Sequence, residues 1–586
     1  MKHLKTLLLG SVSVAVLALP VAAQDMAIEN YEPVTDAELQ NPDPSDWLMW
    51  RGTLNHQGYS PLDQITTDNV DDLQVAWSRT LPDGLLEGTP IVRDGVMFFQ
   101  GPNDEVLALD ATTGDTLWEY NRELPEEGLP GLIIARNLAL WEDKVILQTK
   151  DNFMVALNAQ TGQVEWETQI RGEENWGWAT AGPIIANGKA ISGRSCAQQG
   201  GPGDADSCFL AAHDLETGEE LWRFQLIPRE GTGEAETWGD VPRDVKHHVG
   251  SWITPSYDPE LNMVYFGTSV TSPYSKFYFA NYEDRQDLED QEFLYQTSTL
   301  AIDAETGELV WYQQHIRDHW DLDHPFERIL VDTVIAPNAD EVTWINPNVT
   351  PGEERRVLTG IPGKTGIFYS IDRETGEFLW ARETVHQNVI ADIDVETGRA
   401  DMVDEMIPTE IGQQFVVCPA AGGGKDWMAG AYSPLTNAIY YPLQNLCMES
   451  LVQDDDIGLT PFQMAPGEVN AGTVQAISVE TGEMLWKFES PTGMFSLVTT
   501  GGGLVFGGDA DRRFYAWDQE TGEVLWQTIL NSQAGGFPIT YAVDGRQYVA
   551  IPTGGTLISN AYWNSAYPDQ EVVTGGNSIF VFALPE

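Results

Sequence analysis

Short segments in which apolar and polar residues alternate recur along the chain, and each is followed by the pair Thr-Gly and then by a tryptophan. In the first copy, LALDATTGDTLW, Asp110 precedes the Thr113-Gly114 pair and Trp118 ends the segment. Alternation with a period of two predicts a half-buried strand, and a turn glycine with positive φ predicts that two such strands form a hairpin. The seven Thr-Gly pairs begin at Thr113, Thr161, Thr217, Thr306, Thr375, Thr481 and Thr521. The matching tryptophans are Trp118, Trp166, Trp222, Trp311, Trp380, Trp486 and Trp526.

A repeat of this kind predicts an all-β architecture. Each hairpin leaves its tryptophan exposed unless a neighbouring copy covers it, and small antiparallel sheets of this length pack best around an axis as a β-propeller. We expect eight blades in one domain spanning residues 24–586. The eighth blade comes either from the turn DVETG at 394–398, which lacks a tryptophan, or from the strand around Trp77. The repeated tryptophans are interpreted as contacts between blades.

The N-terminal segment predicts export. Lys2 and Lys5 precede an apolar run and the small residues Val21-Ala22-Ala23, which is the order found in secretory signal peptides. We expect residues 1–23 to be the signal peptide, with cleavage after Ala23, and a mature protein in the periplasm. No other apolar run approaches the roughly 20 residues that a membrane helix needs. Since exported cysteines favour disulfides, we expect the pairs Cys196 with Cys208 and Cys418 with Cys447, although four cysteines allow three pairings.

The charge of the chain limits its partners. The 586 residues carry 89 acidic and 31 basic side chains, a formal net charge of −58. A surface of this sign repels polyanions and so excludes a nucleic acid partner. It fits adaptation to salt, attraction of a basic protein, or both. The four cysteines do not form a Cys-x-x-Cys-His motif, so the chain carries no c-type haem of its own.

The repeated A-x-D-x-x-T-G-x-x-x-x-W turn resembles the tryptophan-docking motif of pyrroloquinoline quinone (PQQ) dehydrogenases. The likeness runs from WLMWRG at Trp47 to the C-terminal FVFALPE. The stretches GRSCAQQGGPGDADSCFLAAHD, RRVLTGIPGKTG, CPAAGGGKDW and VAIPTGG are most similar to the sorbose and sorbosone dehydrogenase branch. This resemblance implies a quinoprotein that oxidises primary or secondary alcohols, including polyols, sugars or bulkier alcohols such as trichothecenes of the deoxynivalenol type.

The resemblance also implies a cofactor site on one face of the propeller. Glu87 in LLEGTPIV and Arg136 in LIIARNLAL match family contacts to the cofactor. Lys364 in GKTG matches the residue that polarises the quinone C5 carbonyl, and Trp238 in ETWGD matches the ring stacked on the planar cofactor. The other positions assigned to the cofactor are Thr180, Ser195, Cys196, Ala197, Asn388, Asp426 and Trp427.

The segment DHWDLDHPF supplies the implied catalytic acid groups. Asp321 matches the family base, which accepts the hydroxyl proton as hydride passes to the quinone. Asp323 matches a second carboxylate that accompanies lanthanide use in some relatives. A nearby cation keeps such carboxylates ionised and polarises the quinone as a Lewis acid. We expect the metal ligands to be Gln198, Thr271, Asp321 and Asp323.

Three positions depart from the family pattern. Pro130-Gly131 stands where alcohol dehydrogenase relatives often carry a vicinal disulfide above the quinone. Gln198 stands in place of the usual metal-binding Glu, and GTSVTSP in place of the usual Asn ligand. The loss of an anionic ligand lowers metal affinity, so calcium is expected first and a lanthanide, favoured by Asp323, second.

An external carrier follows from the absence of haem. We expect an external cytochrome c to take the electrons, and the acidic surface to attract it. The alternative is a scaffold, because propellers with similar tryptophan repeats occur in an outer-membrane assembly lipoprotein that binds no quinone. The chain lacks a lipidation cysteine near the cleavage site and carries a polar set that a scaffold does not need, so we favour an enzyme. We expect a monomer or homodimer, although no sequence feature determines the oligomeric state.

Overall fold

A computed structural model of the protein describes residues 28–124, 134–170, 179–194, 205–239, 241, 243, 246, 248–271, 291–453, 457–559, 563–566 and 572–586. Helices are short in this part of the chain. They comprise the α-helices Asp36–Gln40 and Asn564–Ala566 and the 3₁₀ turns Val70–Asp72, Ala205–Ser207, Glu234–Trp238 and Asp404–Met406. Among the described residues, none of these helices is long and apolar enough to cross a bilayer.

Eight sheets of four or five strands follow one another along the chain, and most of their strands are adjacent in sequence order and antiparallel. In the seventh sheet, Tyr59–Ser60 pairs in parallel with Met494–Thr500. The first contains Ile91–Arg93, Val96–Gln100, Val106–Asp110 and Thr116–Tyr120. The second contains Ala139–Trp141, Lys144–Gln148, Phe153–Asn158 and Val164–Gln169. The third contains Ile184–Ala186, Lys189–Ser192, Phe209–Asp214 and Glu220–Gln225. The fourth contains Ser256–Asp258, Met263–Gly267, Ser298–Asp303 and Leu309–Gln314.

The second half of the chain continues this succession. The fifth sheet contains Ile329–Ile335, Trp344–Ile345, Glu353–Gly360, Ile367–Asp372 and Phe378–Glu383. The sixth contains Ala431–Ser433, Ala438–Gln444, Gly472–Ser478 and Met484–Ser490. The seventh contains Tyr59–Ser60, Met494–Thr500, Leu504–Asp509, Arg513–Asp518 and Val524–Ile529. The eighth contains Ile539–Val543, Arg546–Thr553, Ser578–Ala583 and Gln74–Thr80.

The eighth sheet joins the two ends of the described chain. Gln74–Thr80, which includes Trp77, pairs in antiparallel fashion with Ser578–Ala583. Two segments were candidates for the eighth blade, and the strand around Trp77 is the one that joins a four-stranded sheet. The turn at 394–398 instead joins Ile390–Ile393 to Ala400–Met402 in a separate two-stranded sheet. The all-β propeller class is confirmed, and this succession of sheets supports the prediction of eight blades.

The repeated tryptophans pack between neighbouring sheets, as the repeat predicts. The indole N–H of Trp118, for example, donates to the carbonyl of Ala159 at 2.8 Å, and Gly162 lies beneath the ring. A Cβ at Gly162 would lie 2.6 Å from that ring, so a side chain there would prevent the contact. The same donation, at 2.9–3.2 Å, links Trp77 to Ala111, Trp166 to Leu215, Trp222 to Ala304, Trp311 to Arg373 and Trp486 to Gln519.

The Asp that precedes each Thr-Gly pair stabilises the turn. In the third sheet the Asp214 carboxylate accepts the backbone N–H groups of Glu216 and Thr217. Asn158 and Ser478 replace this Asp in two copies, and each accepts the N–H of its threonine in the same way. Short side chains that satisfy turn N–H groups are favoured at such positions, which explains the sequence preference.

A small accessory sheet takes one strand from the segment between the fifth and sixth sheets and three strands from an insertion between Ala438–Gln444 and Gly472–Ser478 of the sixth sheet. It comprises Gln414–Val417, Leu446–Val452, Ile457–Gly458 and Phe462–Met464. The predicted Cys418–Cys447 disulfide is present and joins the first two of these strands at one end. Cys208 is buried, and Cys196, its predicted partner, lies outside the described residues.

Candidate active site

The candidate site is built from the segments that lead into successive sheets. Glu87, Arg136, Thr180 and Asp426 each stand a few residues before the first strand of the first, second, third and sixth sheets. In a propeller the first strand of each blade lies nearest the axis, so segments in this position converge on the centre of one face. This explains how residues far apart in sequence reach a common site.

Lys364 lies among three carboxylates. Its Nζ is 3.1 Å from Asp321 Oδ1, 3.6 Å from Asp323 Oδ2 and 4.0 Å from Asp426 Oδ2. The lysine follows the strand Glu353–Gly360, and its backbone N–H donates to the Asp323 carbonyl at 2.8 Å. All four side chains are largely shielded from solvent. Asp321, Asp323 and Lys364, all predicted from the sequence as site residues, therefore form one buried ionic cluster.

The cluster shifts the protonation equilibria of its members. Burial raises the pKa of Asp321 well above its ordinary value, and the charges of Asp323 and Asp318 raise it further, while Lys364 opposes this. Burial raises the pKa of Asp426 to about 6, again against the effect of Lys364. Burial alone would lower the pKa of Lys364, but the three carboxylates raise it above its usual range. Lys364 thus stays protonated, and the carboxylates are the groups that can exchange a proton.

Trp252 connects the acidic cluster to Arg136. Its indole N–H donates to Asp323 Oδ2 at 3.2 Å, and its ring lies 4.9 Å from the Arg136 guanidinium carbon. Its backbone carbonyl accepts Arg136 Nη1 at 3.3 Å and the Thr180 hydroxyl at 3.2 Å. Sequence reasoning missed this residue. Its position before the first strand of the fourth sheet, as for Glu87, Arg136 and Thr180, was the available signal.

The polar residues around Trp252 fit a planar polyanion. Arg136 pairs with Glu87 at 2.5 Å, and the Arg136 Nε has no hydrogen-bond partner within the described structure. Burial raises the pKa of Glu87, although Arg136 opposes the shift. A buried guanidinium with an unused donor, a protonated Lys364 and a partly exposed indole are suited to bind carboxylates and quinone oxygens on a flat ring system.

The residues predicted to bind a metal are only partly brought together. Asp321 and Asp323 both pair with Lys364, but Asp323 Oδ1 also accepts the N–H of Val270 at 2.8 Å. Thr271 is buried, while the neighbouring Ser269 hydroxyl donates to the His248 carbonyl. No group of three or more His, Cys, Asp or Glu side chains within the described residues has metal-binding geometry. The observed donor set is therefore two carboxylates.

The other predicted site residues have different surroundings. Trp238 is fully buried against Phe293, and its indole N–H donates to the Leu294 carbonyl. The Asn388 amide donates to the Val416 carbonyl and accepts the N–H of Cys418. Trp427 packs on two phenylalanine rings, and its indole nitrogen has no partner in the described part of the chain. Ser195, Cys196, Ala197 and Gln198 lie outside the described residues.

Comparisons with known proteins identify the same chemistry. The family model for PQQ, described as the glucose/ethanol/alcohol dehydrogenase β-propeller domain, matches residues 47–396 and 468–549. The chain is 32% identical to the quinohemoprotein alcohol dehydrogenase ADH-IIG of Pseudomonas putida, over 94% of this chain and 78% of that protein. It is 29% identical to the quinoprotein ethanol dehydrogenase of Pseudomonas putida, over 95% of this chain and 93% of that protein.

Solved structures agree with these sequence matches. The crystallised quinohemoprotein alcohol dehydrogenase ADHIIG from Pseudomonas putida HK5 superimposes with a TM-score of 0.81 at 29% identity. The superposition covers 94% of this chain and 82% of that one. The likeness in structure therefore extends over nearly the whole chain.

Proposed function

Since the chain belongs to the family of PQQ-dependent alcohol dehydrogenases, we propose that Asp321 is the base that accepts the proton of the alcohol substrate. The observation that carries this proposal is the contact between Lys364 Nζ and Asp321 Oδ1 at 3.1 Å inside a buried cluster. Lys364 keeps a positive charge beside the carboxylate, which favours its ionised and therefore basic form.

The oxidation divides two electrons and two protons between the cofactor and the protein. PQQ, when bound, supplies the two-electron acceptor that takes hydride from the carbinol carbon. Asp321 removes the hydroxyl proton as the C=O bond forms, so a primary alcohol gives an aldehyde and a secondary alcohol a ketone. Lys364, whose Nζ lies 3.1 Å from Asp321 and 4.0 Å from Asp426, would donate a hydrogen bond to a quinone oxygen.

The protein holds the cofactor through the charged and aromatic groups around Trp252. Arg136 and Thr180 bind anionic oxygens of the cofactor, Glu87 orients Arg136, and the Trp252 ring provides the flat surface. Trp252 replaces Trp238 in this role because Trp252 contacts both Arg136 and Asp323. Ser195, Cys196, Ala197, Asn388, Asp426 and Trp427 remain the other proposed cofactor residues.

A metal ion completes the site in this proposal. Asp321 and Asp323 are its anionic ligands, with Gln198 and Thr271 as neutral ligands. Calcium accepts oxygen ligands of mixed type and flexible number, so it tolerates a shell with few charges, and a lanthanide is the second candidate. When bound, the ion polarises the quinone and holds the carboxylates ionised.

The cellular setting follows the same reasoning. We place the mature protein, residues 24–586, in the periplasm as one propeller domain that acts on polyols, sugars or bulkier alcohols. The four cysteines offer no haem-attachment motif, so electrons leave through an external basic cytochrome c drawn to the acidic surface.

Reconstitution tests the proposal. Purified apoprotein is assayed by dye-linked oxidation of an alcohol panel before and after addition of PQQ with calcium or with lanthanum. We expect activity only with quinone and metal, and its loss in Asp321→Asn. The control is Asp401→Asn, an exposed aspartate of the two-stranded sheet, which should keep full activity. Quinone-dependent activity in Asp321→Asn at the wild-type rate would rule out Asp321 as the base.

A further inference from the structure

The loop that carries Asp321 is braced by a second buried carboxylate. Asp318 is 2% exposed, and its side chain accepts the backbone N–H of Trp320 at 2.8 Å and that of Leu322. These two N–H groups lie directly before and after Asp321 in the chain. One carboxylate therefore fixes the peptide on both sides of the proposed base.

Asp321 needs such a brace because of its backbone conformation. Its φ is +60°, in the left-handed region that residues with a side chain seldom occupy. A non-glycine residue persists there only when its surroundings hold it in place. The two hydrogen bonds to Asp318 supply that constraint locally, and they turn the Asp321 side chain toward Lys364.

The rest of the loop is fixed from outside the cluster. The Trp320 indole donates to the Met406 carbonyl at 3.0 Å, and its ring lies 4.8 Å from the ring of Phe415 in the accessory sheet. Leu322 is fully buried, and Asp323 accepts the N–H of Val270. The neighbours of Asp321 are thus anchored, while the peptide at Asp321 itself depends on Asp318.

We propose that Asp318 is a positioning residue that holds Asp321 in the geometry needed for proton removal. The inference rests on the proposed role of Asp321 as the base. Both Asp318 carboxylate oxygens accept backbone N–H groups next to Asp321, so Asp318 acts on the reaction through the Asp321 peptide. A displaced base slows the chemical step without weakening the binding of substrate or quinone.

Asp318→Asn tests this role with little change in volume. The amide has one oxygen, so its NH₂ group must face one of the two backbone N–H donors and that hydrogen bond is lost. We expect kcat to fall on the order of 10–100-fold, with KM for the alcohol and PQQ affinity by absorbance titration within about twofold. The deuterium isotope effect for an alcohol labelled at the carbinol carbon should rise, because hydride transfer becomes rate-limiting.

Asp509→Asn is the matched control. Asp509 is 1% exposed and likewise braces a turn, by accepting the Arg513 N–H at 2.9 Å and the Tyr515 hydroxyl at 2.8 Å. It lies in the seventh sheet, outside the candidate site. We expect a lower melting temperature in both variants and a lower kcat only in Asp318→Asn. Equal kcat and equal isotope effects in the two variants would overturn the inference.

Two further variants keep the outcomes distinct. If Asp318→Asn does not fold, Asp318→Ser takes its place, since a hydroxyl can still accept one N–H group, and the same fall in kcat is expected. Asp321→Asn is measured alongside. Full activity in Asp321→Asn would refute the proposed base, whereas an inactive Asp321→Asn with an unaffected Asp318 variant would refute only the positioning role.

Discussion

Trp252 joins two parts of the candidate site, because its main chain binds Arg136 and Thr180 while its indole binds Asp323. A single residue thereby fixes the distance between the groups proposed to bind the cofactor and those proposed to bind the metal. Trp238 instead packs against Phe293, and its indole N–H donates to the Leu294 carbonyl. Substitution of Trp252 and substitution of Trp238 should therefore have different effects on the affinity for the cofactor.

Substitution distinguishes these two rings. Trp252→Leu removes the flat surface and the N–H donor to Asp323, so we expect PQQ affinity to fall on the order of 10–100-fold. Trp252→Phe keeps an aromatic ring and should lose less. Trp238→Phe should leave PQQ affinity within about twofold, as measured by absorbance titration. A larger loss for Trp238→Phe than for Trp252→Leu would restore Trp238 as the ring beneath the cofactor.

The difficulty of assigning these residues from sequence has a physical origin. Lys364 and Asp321 could be predicted because each lies in a short motif similar to the family pattern, and the structure places them 3.1 Å apart. The role of Trp252 depends on an Asp323 contact across 71 residues, and that of Asp318 on a local backbone turn. Neither contact corresponds to a sequence motif, because each forms only once the chain has folded.

The hairpin carrying Thr-Gly and tryptophan is the element from which the molecule is built. Each tryptophan stands at a register shift in its hairpin, such as that between Val164 and Trp166, where one strand contains an extra residue. A bulge of this kind turns the ring out of the strand and toward the neighbouring sheet. The ring packs against the turn glycine of the next copy, as Trp118 does against Gly162. The tryptophan of one sheet and the glycine of the following sheet therefore form one contact.

Truncation of one such tryptophan should destabilise the whole ring. Trp118→Ala removes a buried ring and its bond to the Ala159 carbonyl, so we expect a loss of about 3–5 kcal/mol in the free energy of unfolding, measured by urea denaturation. Trp141→Ala is the control, because Trp141 is half-buried and its indole binds Asp36 outside the repeat. Equal losses in the two variants would mean that contacts between sheets are not the source of stability.

Elements could be predicted where the repeat is complete and less well where it is degenerate. All seven Thr-Gly turns lie at the ends of paired strands, since a turn glycine and alternating residues act locally. The sequence at 394–398 carries the same turn but forms a small separate sheet, with Gly398 beneath Phe378. This hairpin lacks the tryptophan that docks the other copies on the following sheet.

The acidity of the whole molecule affects its stability as well as its partners. Burial raises the pKa of Asp104 to about 6 and that of Asp509 to about 6, against an ordinary value near 3.8. Between about pH 6 and pH 3.8 the folded protein binds more protons than the unfolded chain, so its free energy of unfolding increases as pH falls. Partial neutralisation of the net charge of −58 acts in the same direction.

We therefore expect the protein without cofactor or metal to melt at a higher temperature at pH 5 than at pH 7.5. Calorimetry or fluorescence at both pH values measures this. The double variant Asp104→Asn, Asp509→Asn lacks two of the buried carboxyls whose pKa is raised and should show a smaller difference in melting temperature. A melting temperature that falls between pH 7.5 and pH 5 in the wild type would contradict the role assigned to these carboxyls.

The pairing of Gln74–Thr80 with Ser578–Ala583 completes the eighth sheet from the two ends of the described chain. The two strands lie far apart in the sequence, so their pairing closes a long stretch of chain, whereas each hairpin of the other sheets closes a short one. Contacts between such distant segments form more slowly than local hairpins, and until this one forms Ser578–Ala583 can pair only with Arg546–Thr553. We therefore expect closure of the eighth sheet to be a late step in folding, so the order of the strands along the chain sets the order in which the sheets assemble.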